Sequence, residues 1–462
     1  MPKLLSNAIN RVKGMLGADS TSAKLKPDPH IISRDQHIIS RKHISDAALR
    51  VMSTLRKAGF EGFLVGGGVR DLLLGGKPKD FDIATDATPE QVRKLFHNSR
   101  IIGRRFKIVH VRFGREIIEV TTFRGTHEQL EQSPKGKRPQ NQHSAQSQNG
   151  MLLRDNVFGT VEEDAMRRDF TINALYYTTA DFAVYDYTNG LRDLDEKIIR
   201  IIGDAETRYR EDPVRMLRAI RFAAKLNFTI EANTAKPIVR LAPSLADIPA
   251  ARMFDEILKL LMSGYGSDVY QLMQQYGLFE PLFPQTQPCL QQPQSSALIE
   301  QAIKNTDIRI QQEKPVTPAF IFAALLWPAV TKRQQELVRE RVPEIPAMHQ
   351  AAQEIASMQQ QYTAVPKRFG MPMREIWDMQ LRLSKRGGNR AEQMVENRRF
   401  RAAYDFLLLR EQAGESTDGL GQWWTDYQNR SPDQRAEMVA AIKEHNPKRK
   451  RRPRKKPNTD NQ

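Results

Sequence analysis

Gly66-Gly67-Gly68-Val69-Arg70-Asp71, then Leu72-Leu73-Leu74-Gly75-Gly76-Lys77-Pro78-Lys79, closing on Asp80-Phe81-Asp82, is the stretch on which the reading of this chain turns. Glycines 66 to 68 let the backbone come close to a ligand, and the helix they open offers free N–H groups to phosphate oxygens. Arg70, in the first turn, is a candidate bidentate phosphate contact. Phe81 and Ile83 alternate with Asp80 and Asp82, the period of a strand. Asp80 and Asp82 therefore project from one face while Phe81 and Ile83 enter the core. Two carboxylates so close do not both ionise cheaply without a cation. A hard divalent ion, Mg²⁺ or alternatively Mn²⁺, suits oxygen ligands and keeps positions open for phosphate. Two such ions about 4 Å apart would activate an attacking hydroxyl and steady a leaving pyrophosphate. No Gly-Lys-Ser/Thr follows, so this is not a P-loop, and the glycine spacing of a dinucleotide fold is absent.

The neighbouring segments build a domain around this turn. Phe63-Leu64-Val65 is a short buried strand leading into the glycines, and Ser45 to Ala58 has the apolar spacing of a helix. Thr88-Pro89-Glu90 opens another helix, with Thr as N-cap and Pro at the first helical position. Ile108–Phe113 and Ile117–Phe123 read as strands joined by Gly114-Arg115. Residues 125–154 are rich in Gln, Ser, Lys and Asn and read as a mobile loop. Regular structure is expected again from Arg167-Arg168-Asp169. Where two metals are held a third carboxylate is usual, and both Glu119 and Asp169 qualify. Arg168 beside Asp169 suits a triphosphate, with Asp169 meeting a metal or a ribose hydroxyl.

A second signal runs from Glu211-Asp212-Pro213-Val214-Arg215 to Phe222. Asp212 is expected as the N-cap of a helix that Pro213 begins. Arg215, Arg218, Arg221 and Lys225 fall on one stripe, with Leu217, Ile220 and Ala224 opposite. Asp212 and Arg215 offer an acceptor and donors to a base edge, and Arg218 and Arg221 are placed to reach phosphates.

The bulk composition limits the partners. The chain has 462 residues, and at roughly 150 residues per domain it holds about three domains. Its net charge of +17 suits a polyanion, most simply nucleic acid. Eight of those positive charges lie in Lys448-Arg449-Lys450-Arg451-Arg452 and Arg454-Lys455-Lys456. Cys289 is the only cysteine, which excludes an internal disulfide or a thiolate cluster and points to a reducing cytoplasm. No apolar run approaches a membrane span. His43, His97, His110 and His127 lack ligand spacing and read as core or surface residues. Trp423-Trp424 reads as helical core rather than an RNA-stacking platform. Arg382, Lys385, Arg386 and Arg390 form a candidate RNA-backbone patch. Five segments are expected: a flexible leader (1–40), a head (41–203), a helical neck (204–265), a helical RNA-binding body (266–445) and a disordered basic tail (446–462).

The Gly-Gly turn with Asp80-Phe81-Asp82, the Arg-Arg-Asp at 167–169 and the Glu-Asp-x-x-Arg at 211–215 resemble, in order, three motifs of the class II nucleotidyltransferases, the tRNA nucleotidyltransferase/poly(A) polymerase family. Gly103-Arg104-Arg105-Phe106, the 125–154 insertion and the basic tail are similar to the bacterial poly(A) polymerase I branch. The resemblance implies an α+β fold: a polymerase β-like head on a small mixed or antiparallel sheet, followed by an elongated all-helical body. It implies metal binding by Asp80 and Asp82, an active-site role for Asp169, and triphosphate contacts from Gly66, Gly67, Arg70 and Arg168. Asp212 and Arg215 would read the base, with Arg218 and Arg221 beside them. ATP would be the substrate and RNA 3′ ends the acceptor, in mRNA processing and RNA turnover, with RNA-turnover proteins as candidate partners. The alternatives are a CCA-adding tRNA nucleotidyltransferase and, in another class, a non-catalytic RNA-binding scaffold.

Overall fold

The computed structural model describes residues 28–103, 107–125, 144–146, 152–155 and 157–444. Most of the leader, Arg104-Arg105-Phe106, His127, much of the 125–154 insertion and the basic tail lie outside the described residues. The chain divides into two compact units between Glu211 and Asp212. The first therefore keeps a helix, Ala205–Glu211, that the sequence assigns to the neck.

The first unit is built on an eight-stranded mixed sheet. Its strands are β1 (His30–Ile32), β2 (Phe63–Val65), β3 (Asp82–Thr85), β4 (Ser99–Ile102), β5 (Ile108–Phe113), β6 (Glu116–Thr122), β7 (Leu175–Tyr177) and β8 (Val184–Asp186). Their spatial order is β1-β8-β7-β2-β3-β6-β5-β4. Every neighbour is antiparallel except β3 and β6. The sheet buries its two faces unequally. On one face Leu64, Ile83, Val109, Val111, Ile118 and Val120 join apolar residues of α1 (Asp46–Lys57) and Val92 of α2 (Pro89–Leu95) in one core. On the other a smaller cluster gathers Phe63, Val65, Ala84, Phe123 and Tyr176 with Val161 and Ala165 of α3 (Val161–Arg167). The acidic residues stand on this second face.

Local signals account for many of the boundaries. Ser45 Oγ accepts from the Ala48 N–H and caps α1. Thr88 and Gln91 form a capping box at α2, with Pro89 at its start. Gly114, at φ +62°, makes the turn between β5 and β6. Two expectations need correction. Regular structure returns before Arg167, because Thr160 and Glu163 form a capping box that starts α3. Within 125–154, Ser144–Gln146 and Leu152–Asp155 form an antiparallel pair.

Among its described residues the regular structure of the second unit is helical apart from the two-residue strand Thr229–Ile230. Thr317 caps the 22-residue helix Pro318–Arg339, whose apolar run from Ile321 to Trp327 is buried. Trp377 Nε1 donates to the Ala323 carbonyl and Trp424 Nε1 to that of Leu383, both at 3.0 Å. The expectation that Trp424 belongs to the core is met. Among the described residues no helix is long and apolar enough to cross a membrane.

Candidate active site

Strand β3 begins at Asp82, so Asp80 lies two residues before the strand rather than in it. The alternation survives: Asp80 and Asp82 are exposed, while Phe81 and Ile83 are buried. Gly66 sits between β2 and the helix Gly67–Leu73 at φ +68° and ψ −132°, backbone that disfavours a side chain. A Cβ there would stand 3.4 Å from Arg168 Nη1, so the bare turn and this guanidinium face each other closely.

Sheet register decides what surrounds Asp82. It pairs with Val65 on one side and, across the parallel β3–β6 ladder, with Glu119 on the other. Glu119 in turn opposes His110, whose Nε2 lies 3.1 Å from Glu119 Oε1. Partners directly opposite in a ladder share a face, so Asp82, Glu119 and His110 form a row across three strands. Desolvation and then the Glu119 charge push the Asp82 carboxyl up to about 6; Arg168 pulls it down and Asp80 adds to the rise. Crowded like charges of this kind are relieved by a cation. Among the described residues no three acidic, His or Cys side chains gather closely enough to enclose an ion. The donor set fits Mg²⁺, which takes one or two carboxylates and completes its shell with water and substrate phosphate.

The other sequence candidates divide. Arg70 is only 2% exposed, and its Nη2 would stand 3.5 Å from a Cβ on Gly67. Its helix buries that face: Nε and Nη2 donate to Asp71 Oδ1 at 2.8 and 2.6 Å, and Nη1 to Asn173 Oδ1 at 2.7 Å. Asn173 Nδ2 donates to Asp169 Oδ1 at 3.2 Å, and that oxygen also accepts from the Phe170 N–H. Arg70 thus orients Asp169 through Asn173, a residue the sequence reading missed. Arg168 is fixed by Asp164 and Tyr176, both also missed. Its Nη2 donates to Asp164 Oδ2 at 3.0 Å, its Nε to the Tyr176 hydroxyl at 2.7 Å, and its guanidinium lies over the Tyr176 ring. Arg208 Nη2 donates to the carbonyls of Arg167 and Arg168, pinning their loop. Asp164, Tyr176 and Asn173 gave no local signal, since each matters only through its distant partner.

The second unit holds the Asp212–Arg215 motif. Asp212 does not cap the helix Val214–Leu226 with its side chain: Pro213 is the N-cap, and Asp212 contributes only its carbonyl, to the Arg215 N–H at 3.0 Å. Its carboxylate instead accepts two bonds from Arg252, at 3.0 and 2.8 Å. The expected stripe is present, with Leu217 and Ile220 buried and Arg215, Arg218 and Arg221 part-exposed. Arg218 and Arg221 both lie over the Phe222 ring, at 5.5 and 5.0 Å. In the basic patch, Arg386 covers the Trp423 ring at 4.8 Å. Arg382 lines a cavity of about 540 Å³ with Glu375, Asp378 and Arg399.

Residues 62–200 match the family described as "Poly A polymerase head domain", 227–290 "Probable RNA and SrmB- binding site of polymerase A" and 340–456 "Polymerase A arginine-rich C-terminus". The poly(A) polymerase I of Salmonella typhimurium is 49% identical over 456 residues, covering 97% of each chain. A CCA-adding enzyme of Leuconostoc mesenteroides is 41% identical, over 48% of this chain and 51% of its own. The crystal structure of the Bacillus stearothermophilus CCA-adding enzyme in complex with CTP is similar, with TM-score 0.53 and 26% identity, over 86% of this chain and 82% of that one. Identity sustained through the head, the helical unit and the arginine-rich C-terminus, where the CCA-adding relative matches half as much, places this chain in the bacterial poly(A) polymerase I family.

Proposed function

We propose that this chain extends RNA 3′ ends with AMP taken from ATP, without a template, releasing pyrophosphate. The observation that carries this reading is the acidic row beside the Gly66 turn, in a chain 49% identical to a poly(A) polymerase I along 97% of its length. Asp80 and Asp82 would hold Mg²⁺ or Mn²⁺, with Glu119 the carboxylate that shares their charge. The bound ion supplies activation of the attacking hydroxyl and neutralisation of charge on the departing pyrophosphate. The RNA 3′-hydroxyl attacks the α-phosphate in line. Arg168, held by Asp164 and Tyr176, presents Nη1 to the triphosphate near the backbone of Gly66. Asp169, steadied by Asn173, suits the ribose hydroxyl. Asp212 accepts from the adenine amino group and Arg215 donates to the ring nitrogen beside it.

RNA is held mainly through phosphates, so affinity falls steeply with salt. The buried, unpaired Cys289 agrees with a reducing, cytoplasmic setting. The deciding experiment offers ATP and CTP separately to the purified chain, with an unstructured RNA and with a tRNA lacking its CCA end. Long A-tails on either RNA are expected. Addition that stops after CCA, on tRNA alone, would overturn the proposal in favour of CCA addition.

A further inference from the structure

We propose that Arg386, held against Trp423, is a seat for one unstacked base of a single-stranded RNA, with Arg382, Lys385 and Arg390 taking the phosphates around it; the proposal rests on the reading of RNA as the acceptor. Elsewhere in the second unit arginines find acids: Arg333 pairs with Glu354, Arg399 with Glu375 and Arg435 with Glu392. The turn that follows the helix Lys367–Leu383 differs. Among the described residues the side chains of Arg382, Lys385, Arg386 and Arg390 make no ion pair and no hydrogen bond. Arg386 is the sharpest case. Its Nε is buried with no hydrogen-bond partner, and burial, opposed by no carboxylate, pushes its guanidinium below the usual arginine range. What it does touch is the Trp423 ring, 4.8 Å away. Trp423 is itself fixed, stacked on Tyr427 at 4.9 Å and 16° and edge-on to Trp424. A part-buried cation without a counter-charge is costly, and an anionic ligand relieves that cost.

The chemistry follows from the shape of the group. A guanidinium is planar, weakly hydrated and stacks on aromatic faces, so Trp423 presents Arg386 as a flat, charged plate. Bases of single-stranded RNA stack on such a plate, whereas the bases of a duplex are already stacked on one another. The turn leaves room for a ligand: a Cβ on Gly387 or Gly388 would meet nothing within 4 Å, and Gly388 takes φ +66°. Arg382 stands four residues before Arg386 and Arg390 four after, with Lys385 adjacent, so the cations gather round the plate. A point charge there would satisfy phosphates alone; the plate adds a contact that only an unpaired base can make. Stacking does not depend on a base's hydrogen-bonding edge, so the seat is tolerant of sequence.

The test measures binding of the full chain to a labelled oligoadenylate of about 12 nucleotides and to an RNA duplex of the same length. Fluorescence anisotropy in EDTA, without ATP and over a range of salt, reads both affinities. Arg386→Lys keeps the charge but not the plate. It is expected to weaken single-strand binding about tenfold while duplex binding and both salt slopes stay as in the parent. Arg382→Gln, which removes a phosphate contact, is expected to weaken both forms and to lower both slopes by about one. Single-strand affinity unchanged in Arg386→Lys, or an equal loss for both forms, would overturn the base seat. If Arg386→Lys does not fold, the parent decides: a single-strand affinity no higher than its duplex affinity at equal salt would overturn it. The proposed function fails separately, by a parent that binds the single strand yet adds no AMP when ATP and Mg²⁺ are supplied.

Discussion

Asp82 in the head and Asp212 in the helical unit are both carboxylates that we propose for the nucleotide site, and the protein supports them in opposite ways. Asp82 stands in a row with Glu119 and near Asp80, and its carboxyl is pushed up to about 6. Asp212 is gripped by both prongs of one arginine. The first site is crowded until a cation arrives; the second carries its own counter-charge. The difference follows from the task. The metal ion brings the positive charge that Asp82 lacks, so a permanent arginine on Asp82 would compete with the ion. A base brings no charge, so its reader must hold its orientation unaided.

The comparison breaks most sharply at Asp82. Asp82→Asn should lower single-turnover tailing roughly 10³-fold at saturating ATP and RNA. The same change should stabilise the metal-free protein at pH 7, because it removes a charge the fold disfavours. For a solvent-accessible carboxylate this is about 1 kcal/mol after allowance for screening. The sign is specific. The folded carboxyl titrates above its ordinary 3.8, so the parent regains stability as pH falls from about 6 towards 4, and the gap between the two proteins closes there. Urea unfolding in EDTA at pH 7 and pH 4.5 measures it. A variant less stable than the parent at pH 7 would show that Asp82 is already compensated. Adding Mg²⁺ should raise the melting temperature of the parent and not of the variant.

Arg70 offers the next contrast. Arg70→Met should destabilise the head by about 3 kcal/mol, as expected for breaking a buried charged pair. Chemical denaturation detects this. A phosphate ligand would behave differently, raising the KM for ATP with stability preserved. Asn173→Ala should cost less, about 1 kcal/mol, and lower kcat through a loosened Asp169. The smallest effect on chemistry is expected from removing residues 446–462. RNA affinity should fall and its salt dependence flatten, while the Asp82 dependence and the nucleotide ratio stay unchanged. A fall in single-turnover rate at saturating RNA would contradict that separation.

Much of the head could be read from short spacings. Thr88-Pro89-Glu90, Gly114 and the Asp80–Ile83 alternation each act within a few residues, where turn and strand geometry decide the outcome. The spacing of Arg70 suits two fates, exposed or buried, and only packing of the helix Gly67–Leu73 makes it buried. His110 lacked ligand spacing along the chain, yet the β5–β6 hairpin places it against Glu119. Asp212 resembled a helix cap because Pro213 follows it; its side chain found a stronger partner in Arg252.

The sequence by itself determined the chemical inventory: a glycine turn, an acidic pair, an Arg-Arg-Asp loop, an Asp-x-x-Arg helix start and a basic tail. These are written in neighbouring residues, and local backbone preferences preserve them. The tertiary structure alone decided which charges meet. Asp82 beside Glu119 depends on the register of two parallel strands 37 residues apart in pairing. Arg168 against Asp164 and Tyr176, and Arg252 on Asp212, depend on how elements pack. Electrostatic partnership is set by distance in space, and distance in space is what a linear spacing leaves open.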